Sequence, residues 1–522
     1  MQGLPVGVQS FERLREDDLL YVDKTVRLIE LIKGGGRYFL SRPRRFGKSL
    51  TLSTLEAMFA GRSELFKGLA AEEWVKNQSK HPSSVLRFDM SRLRQYSNAE
   101  ELNDSIIKGL EDFAFLHDFE VKHEKKCSGT LLQIIYHLYK KCGYVVVLID
   151  EYDKPILDNL EDVKKAEAMR EVLRSFYIIL KSCDEYLRFV FITGISKFSK
   201  AGVFSALNNL QDISMNSRYG DIVGYTQEEL ELHFADWIGD LSKSIPENRE
   251  ILLKKIKDYY DGFSFDGETK LYNPFSILNF FLNGKFGNYW YVSGSPTFIV
   301  KYMKKNIIQD PEEYRHLEVS ADFSDVHEIE KASPESFLYQ SGYLTIEKWL
   351  DSHIILDYPN EEVKSSLTRM YLDEIYHIKK YITLGTQIWN DLADGNIENV
   401  VNLYNIALSG IPYDDFPHRD EFWYRSLFLM LLRGAGIVTY AEVHTHKGRS
   451  DLVIQLDKQI IVLEFKYAKD STEVPKKISE GTLQIQKMDY AQNYIGEGRR
   501  VTSAVIVADD ENRQAIMSQS LI

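Results

Sequence analysis

Residues 37–54 read RYFLSRPRRFGKSLTLST and indicate the fold of the N-terminal part of the chain. A short apolar strand is predicted first, then a loop that ends in Gly47-Lys48-Ser49, then a helix. In this order the loop N–H groups surround phosphates, the Lys48 ammonium reaches the β- and γ-phosphate oxygens, and the Ser49 hydroxyl binds Mg²⁺. The pattern is incomplete, because Arg42 stands where the first glycine is expected. The loop therefore needs support from elsewhere in the chain.

That support comes from residues 144–153, YVVVLIDEYD. The apolar run is typical of a parallel strand buried on both faces, and it ends in Asp150 and Glu151. An acid at the tip of such a strand lies beside the phosphate loop and orients Mg²⁺, and a second acid can polarise an attacking water. The same run also fits an ordinary core strand that leads into a loop. The upstream Gly-Lys-Ser loop favours the nucleotide site over that alternative.

Length and composition limit the class of protein. A chain of 522 residues is long enough for about three domains, and its 44% hydrophobic and 27% charged residues are ordinary for a globular protein. No apolar run approaches the ~18–20 residues of a membrane span, and the N-terminus lacks an apolar signal core. We therefore expect no membrane partner and a cytoplasmic location.

Cysteine usage and net charge point the same way. The three cysteines are scattered without the spacing of a disulfide framework or a metal site, which fits a reducing compartment. The net charge of −13 argues against indiscriminate binding of nucleic acid, although a local basic groove stays open.

The order of predicted elements indicates an α/β chain in three parts. In residues 1–235, strands alternate with helices, which predicts a P-loop domain with a parallel sheet covered on both faces. Residues 236–380 are mostly helical, and a helix–hairpin–helix pattern near their end fits either a winged-helix-like module or a plain connector. Residues 381–522 predict a helix, three strands, a helix and a further strand, which together make a compact mixed sheet.

A second group of charged residues lies in this last part. Asp451 begins one predicted strand, and Glu464 and Lys466 end the next, with a turn containing Asp457 between them. Glu464 and Lys466 are two residues apart and so point to the same face. Two carboxylates can hold a divalent ion such as Mg²⁺, which activates water against a phosphodiester, and the lysine can stabilise the developing charge.

Neighbouring residues fit such a site. Glu421, on the preceding helix, could complete the metal shell, and Gln486 and Tyr490 are four apart on the following helix and share a face. A D…ExK pattern by itself also describes an exposed hairpin with a surface salt bridge. The order of helices and strands around it favours the metal site.

These motifs resemble those of known proteins over nearly the whole chain. The N-terminal half is similar to the AAA-ATPase-like proteins of bacteria and archaea, and the C-terminal part is similar to the PD-(D/E)XK nuclease superfamily. The first likeness is carried by LPVGVQSFERLR, YVDKT, RPRRFGKSL, VVVLIDEYDKPI, FITGISKFSKAGVFSALNNLQDIS, YYDGF and LYNPFSILN, and the second by RSDLVI, VLEFKY and the Gln486/Tyr490 helix. The family tolerates Arg42 in its phosphate loop.

The resemblance implies a restriction-endonuclease-like fold for the mixed sheet of residues 381–522. It also implies a P-loop domain in which an additional strand separates the loop strand from the strand that ends in Asp150. It implies ATP and Mg²⁺ as cofactors, Glu151 as the base that activates water, Ser49 and Asp150 as metal ligands, and Thr193, with Ser196 next to it, as a polar sensor. The nucleotide cradle implied is Arg44, Arg45, Phe46, Gly47, Lys48, Ser49 and Leu50.

Three further cations, Lys197, Lys200 and Arg218, could contact the γ-phosphate in the same chain or from a neighbouring copy, so a homo-oligomer is one expectation. Ordinary surface charge is the alternative for each of them. Another nucleotide in place of ATP stays an alternative, although no guanine-reading Asn-Lys-x-Asp pattern lies near the site.

Two functions from different classes follow. The first is an ATP-driven, metal-dependent nuclease that acts on DNA or RNA. The second is an ATP-dependent switch or scaffold whose nuclease fold only binds a partner. The acidic net charge favours the second, and the intact set of Asp451, Glu464 and Lys466 favours the first.

Overall fold

The structure is a computed structural model that describes most of the chain and divides it into two compact units. One unit comprises residues 1–306 and 314–364, and the other comprises residues 307–313 and 365–522. The boundaries expected at residues 235 and 380 stay predictions. The described residues are 1–160, 162–197, 209–244, 249–294, 314–324, 333–378, 381–412, 419–437, 439–444, 449–456, 458–488 and 499–521.

A five-stranded sheet forms the centre of the first unit, in the order β2-β3-β4-β1-β5, with every pair parallel. The third strand is buried along its whole length, as its continuous apolar run predicts. The fourth strand separates β1 from β3, which confirms the additional-strand arrangement. The strands are β1 Arg37–Ser41, β2 Val85–Asp89, β3 Val145–Asp150, β4 Leu187–Gly194 and β5 Leu210–Asp212.

Helices flank this sheet, and the one that matters most for the site begins directly after the phosphate loop. Its first residue is Lys48, and the preceding Gly47 adopts a φ of 96°, which a residue with a side chain rarely adopts. Two helices precede β1, namely α1 Phe11–Glu16 and α2 Thr25–Lys33, and the helices between the strands are α3 Lys48–Phe59, α4 Glu72–Gln78, α5 Ala99–Leu116, α6 Cys127–Cys142, α7 Lys154–Leu157 and α8 Val163–Ser182.

The rest of the first unit is helical with one small sheet. Thr226 and Glu229 form a capping box that starts the first of these helices. A helix–hairpin–helix is present as the sequence pattern predicts, and a third strand joins the hairpin to give the order β6-β8-β7. The elements are α9 Gln227–His233, α10 Ala235–Ser244, α11 Arg249–Tyr260, α12 Pro274–Asn283, α13 Tyr289–Gly294, β6 Leu317–Ser320, α14 Pro334–Ser341, β7 Thr345–Trp349 and β8 His353–Asp357.

The second unit contains a mixed five-stranded sheet in the order β13-β12-β11-β10-β9. The β11–β12 pair is parallel and the other pairs are antiparallel. This agrees with the predicted mixed sheet. From residue 361 onward the elements are α15 Glu361–Met370, α16 Tyr381–Asp394, α17 Ile397–Ser409, α18 Glu421–Gly434, β9 Thr439–His444, β10 Arg449–Gln455, β11 Gln459–Ala468, α19 Val474–Met488, β12 Arg500–Asp509 and β13 Gln514–Leu521.

The length and hydropathy of each helix show whether it could span a membrane. Across the described ranges, no helix is both long enough and apolar enough to cross a bilayer.

Candidate functional site

The loop between β1 and α3 has the shape of a phosphate cradle. Arg45 and Gly47 adopt φ values of 68° and 96°, and a Cβ placed on Gly47 would meet nothing within 4 Å, so the loop backbone borders open space. The buried Lys48 ammonium donates to the carbonyl oxygens of Arg42 and Pro43, at 2.7 and 2.9 Å. Phosphate oxygens are stronger acceptors than these carbonyls and could replace them.

Arg42 shows why the first glycine of the usual pattern is dispensable here. Its guanidinium is buried, donates from Nη1 to the Ser214 carbonyl at 2.5 Å and lies 4.1 Å from the Phe265 ring centroid. Burial lowers its pKa to about 10. The side chain is therefore anchored in the protein interior, by partners that are remote in sequence.

The acids of the second motif lie together with the predicted sensor. Thr193, on β4, donates its hydroxyl to Asp150 Oδ1 at 2.6 Å, and the Glu151 N–H donates to the same oxygen at 3.1 Å. Glu151 has a φ of 49°, in the left-handed region, and burial raises the pKa of its carboxyl group. The neighbouring strand ends of one parallel sheet thus bring these three residues together.

Asp153 holds the tip of β4 against the end of β3. Its Oδ2 accepts from the backbone N–H groups of Ile195 and Ser196, at 3.0 and 2.6 Å. Burial raises the pKa of Asp153 to about 6. The contact that Ser196 makes with Asp153 is therefore through its backbone N–H. Asp153 is a positioning residue that sequence reasoning missed.

The other cations predicted near the γ-phosphate lie in different surroundings. Lys197 pairs with Asp212 at 2.9 Å, and Arg218, with its side chain 65% exposed, lies 3.9 Å from Glu30. Neither lines the pocket beside the phosphate loop. Lys200 lies outside the described residues. Contact of these cations with the γ-phosphate therefore stays a prediction.

A pocket of about 410 Å³ lies against the loop, and it collects most of the predicted cradle. Phe46 is an exception, because its buried ring packs on Phe263 and Phe265 at centroid distances of 5.0 and 5.5 Å. Asp150 and Thr193 are also buried and do not line it. The lining residues are Pro5, Gly7, Val8, Gln9, Leu14, Arg44, Arg45, Gly47, Lys48, Ser49, Leu50, Ser91, Glu151, Lys154, Ile195, Tyr225, Pro274, Phe275 and Leu278.

The apolar side of this pocket was not predicted. Val8, Tyr225, Phe275 and Leu278 supply it, and the Phe275 ring lies 4.7 Å from the Arg45 guanidinium. The signal was present in the segments LPVGVQSFERLR and LYNPFSILN, which carry the resemblance but have no phosphate-binding pattern of their own.

The second group of charged residues, Asp451, Glu464 and Lys466, lies on one face of the C-terminal sheet. In the β10–β11 hairpin Leu452 is opposite Leu463, so the register places Asp451 opposite Glu464, and such opposed residues share a face. The Phe465 N–H donates to Asp451 Oδ2 at 2.8 Å. The Lys466 ammonium donates to Glu464 Oε1 at 2.7 Å. The hairpin thus brings the two acids and the lysine together.

The electrostatics of Glu464 suit a cation. This carboxylate is only 1% exposed, and within the described part of the chain its Oε2 has no hydrogen-bond partner. Burial, followed by the nearby charge of Asp451, raises the pKa of Glu464 to about 7. A buried carboxylate with an unpartnered oxygen is costly unless something binds it, so the residues fit a divalent metal ion.

Two residues of α18, Glu421 and Arg425, lie near the acids of this site. Arg425, one helical turn after Glu421 on α18, donates to Asp451 Oδ1 at 3.0 Å, and sequence reasoning missed it. Burial raises the pKa of Glu421, while the nearby charge of Lys466 lowers it and that of Asp451 raises it. Glu421, Asp451 and Glu464 do not bring three ligand atoms within 4.8 Å of one another. The role of Glu421 as a metal ligand stays a prediction.

Of the two residues predicted on the helix after β11, the structure describes Gln486. Gln486 lies on α19 and is exposed. Tyr490 and the turn residue Asp457 lie outside the described residues.

Comparison with known proteins agrees with both halves of this geometry. Residues 5–204 match the model of a predicted AAA-ATPase family, and residues 419–518 match that of the PD-(D/E)XK nuclease superfamily. An uncharacterized protein encoded in the vnfD 5' region of Azotobacter chroococcum mcd 1 is 33% identical over 513 residues, which is 95% of each chain.

Two solved structures show distant similarity to this chain. The Aeropyrum pernix ORC2 protein, in ADPNP–ADP complexes, is 12% identical, with 80% of this chain and 85% of that chain covered and a TM-score of 0.27. Cdc6p from Pyrobaculum aerophilum is 11% identical, with 67% and 92% covered and a TM-score of 0.21. Scores of this size carry no argument about the fold. Membership follows instead from the two family matches and from the relative that is 33% identical over 95% of each chain. The chain belongs to the predicted AAA-ATPase family and carries a C-terminal domain of the PD-(D/E)XK nuclease superfamily.

Proposed function

We propose that this protein binds and hydrolyses ATP with Mg²⁺ at the phosphate loop and cleaves nucleic acid at the Asp451–Glu464–Lys466 site. The observation that carries the ATPase proposal is the convergence of Lys48, Glu151 and the Thr193–Asp150 pair beside one pocket. The observation that carries the nuclease proposal is the buried Glu464 oxygen that lacks a partner next to Asp451 and Lys466.

In the ATP site each group has a role that follows from its position. Lys48 exchanges the Arg42 and Pro43 carbonyls for the β- and γ-phosphate oxygens. Ser49 and Asp150 would hold Mg²⁺, and the bound ion would supply positive charge against the developing negative charge. The apolar lining formed by Val8, Tyr225, Phe275 and Leu278 accepts the adenine ring.

Glu151 is proposed as the group that activates water. It lies in the pocket wall, and burial raises its pKa, which makes the carboxylate a better base. Glu151→Gln should preserve ATP binding and lower hydrolysis by roughly 10²-fold or more. Calorimetry and phosphate release measure the two effects. Asp150→Asn is the comparison variant, since it should weaken Mg²⁺-dependent binding instead. Hydrolysis by Glu151→Gln at the wild-type rate would assign the base elsewhere.

In the nuclease site Asp451 and Glu464 would hold the metal, and Lys466 would stabilise the negative charge that develops in the reaction. A bound Mg²⁺ would polarise the phosphodiester and lower the pKa of an attacking water. Lys466 lies 2.7 Å from Glu464 Oε1 and supplies positive charge to the hydroxide or to the transition state. Arg425 holds Asp451 and is a positioning residue.

Metal binding at this site should depend on pH. Since the pKa of Glu464 is raised to about 7, its carboxyl carries a proton below that pH, and a metal must displace it. The apparent Mn²⁺ affinity should fall by about tenfold per pH unit below 7, and should be flat above it. Mn²⁺ titration without nucleotide, at several pH values, tests this. The difference between wild type and Glu464→Gln isolates the site, and a pH-independent difference would contradict it.

A non-catalytic scaffold is the second candidate function, and the Arg425–Asp451 ion pair favours it because a cation already engages one oxygen of Asp451. One experiment separates the two. The purified protein is incubated with labelled single- and double-stranded DNA and RNA, with Mg²⁺ or Mn²⁺, with and without ATP. Cleavage supports the nuclease, and binding without cleavage under every condition supports the scaffold. The same samples, analysed by size, test for a homo-oligomer.

A further inference from the structure

A third group of ligating side chains lies in the first unit, on the small sheet β6-β8-β7. Leu317 is opposite Leu356, so the register places His316 opposite Asp357. The pairing of β7 with β8 is interrupted between Ile346 and Lys348, which makes Glu347 the extra residue of a bulge. Bulges re-aim a side chain, and they often occur next to functional sites.

The three side chains are within coordination reach of one another. His316 Nδ1 lies 2.7 Å from Glu347 Oε2 and 3.5 Å from Asp357 Oδ2. Across the described ranges this is the group of three that places its ligand atoms within 4.8 Å of one another. The side chains of His316 and Glu347 are 60% and 40% exposed, so an ion can reach them. Arg315 lies 3.7 Å from Asp357 Oδ1 and would compete weakly.

An independent observation next to this cluster also points to a ligand. Asp357 lines a pocket of about 680 Å³ that is lined as well by Asp261. Asp261 is only 5% exposed, and its Oδ1 finds no hydrogen-bond partner among the residues that the structure describes. Burial raises the pKa of both Asp261 and Asp357. A buried polar oxygen without a partner is costly, and the pocket that Asp261 and Asp357 both line has room for water and a small solute.

We propose that His316, Glu347 and Asp357 form a binding site for a divalent transition metal, with Zn²⁺ as the best match. One imidazole nitrogen and two carboxylate oxygens suit Zn²⁺, whereas Mg²⁺ prefers oxygen ligands alone. Three protein ligands would leave a coordination position for water or for a solute from the adjacent pocket, which Asp357 also lines. The site belongs to the first unit and does not depend on the nuclease proposal.

The test uses the full-length chain with Asp451→Asn and Glu464→Gln, so that metal binding at the nuclease site is removed. After treatment with a chelator and without nucleotide, Zn²⁺ binding is measured by calorimetry, and retained metal by elemental analysis. We expect about one Zn²⁺ per chain. His316→Ala and Glu347→Gln should each weaken binding by at least ~10–100-fold, the loss known even for outer-shell partners. His353→Gln, a histidine of β8 outside the cluster, is the matched control and should bind as the parent does.

A spectroscopic measurement keeps the proposal falsifiable if one variant folds poorly. Co²⁺ bound to the parent should give the absorption bands of a nitrogen- and oxygen-ligated ion, and Glu347→Gln, which changes an exposed side chain, should alter them. Zn²⁺ stoichiometry and Co²⁺ bands that are the same in the parent and in both cluster variants would overturn the proposal. No Zn²⁺ binding by the parent would overturn it too, and would leave the cluster as a network of ion pairs.

Discussion

Lys48→Ala is expected to abolish high-affinity ATP binding. The ammonium is buried at the centre of the phosphate loop and carries two hydrogen bonds to loop carbonyls that phosphate oxygens would take over. Charge-assisted hydrogen bonds contribute roughly 1.5–3 kcal/mol each, so the loss of two should lower the affinity by about 100-fold or more. Calorimetry with ATP and Mg²⁺ measures this directly.

The control is Lys76→Ala. This lysine lies on α4, pairs with Glu72 and Glu73, and does not line the pocket. It should bind ATP as wild type does. Because Lys48 also holds the loop through Arg42 and Pro43, a melting curve must show that Lys48→Ala is folded. An ATP affinity unchanged in a folded Lys48→Ala variant would place the nucleotide elsewhere.

Loss of nucleic-acid cleavage is the second large effect, and the three variants should lose it for different reasons. Asp451→Asn and Glu464→Gln each replace a charged carboxylate with a neutral amide, which is a weaker ligand for a hard divalent ion, so they should lose the metal together with the activity. Lys466→Ala should keep the metal and lower cleavage by roughly 10²–10³-fold, since it removes charge stabilisation in the transition state. Mn²⁺ binding and a cleavage assay on the same preparations separate the two classes.

Lys469→Ala provides the matched control, since this exposed lysine follows β11 directly. It should cleave at the wild-type rate. Cleavage that survives Asp451→Asn would show that the acid pair is not the active site. Equal loss of metal in Lys466→Ala and Glu464→Gln would make the lysine a structural partner of Glu464 and not a group that acts on the substrate.

Much of the fold was readable from the sequence because its signals are local. The apolar run that ends in Asp150 became the buried strand β3, and the two strands predicted from the segments around Asp451 and Glu464 became the hairpin β10–β11. Period and length identify such elements without knowledge of their neighbours. The same patterns predicted the helix–hairpin–helix near residue 350, although the third strand, β6, was not expected.

The sites were predictable only where one motif supplies them. Gly47, Lys48 and Ser49 are consecutive, and Glu464 and Lys466 are two apart on one strand, so their mutual placement follows from backbone geometry. The sequence by itself therefore determined the phosphate loop, the acidic strand tip and the shared face of the nuclease residues.

Long-range packing decided the rest, because burial and charge depend on groups far apart in the chain. Arg42 can replace a glycine because Ser214 and Phe265 anchor its guanidinium. The pKa of Glu464 reaches about 7 since the folded sheet removes it from water beside Asp451, and Arg425 reaches Asp451 from another element. No local pattern encodes these distances, so only the tertiary structure could reveal them.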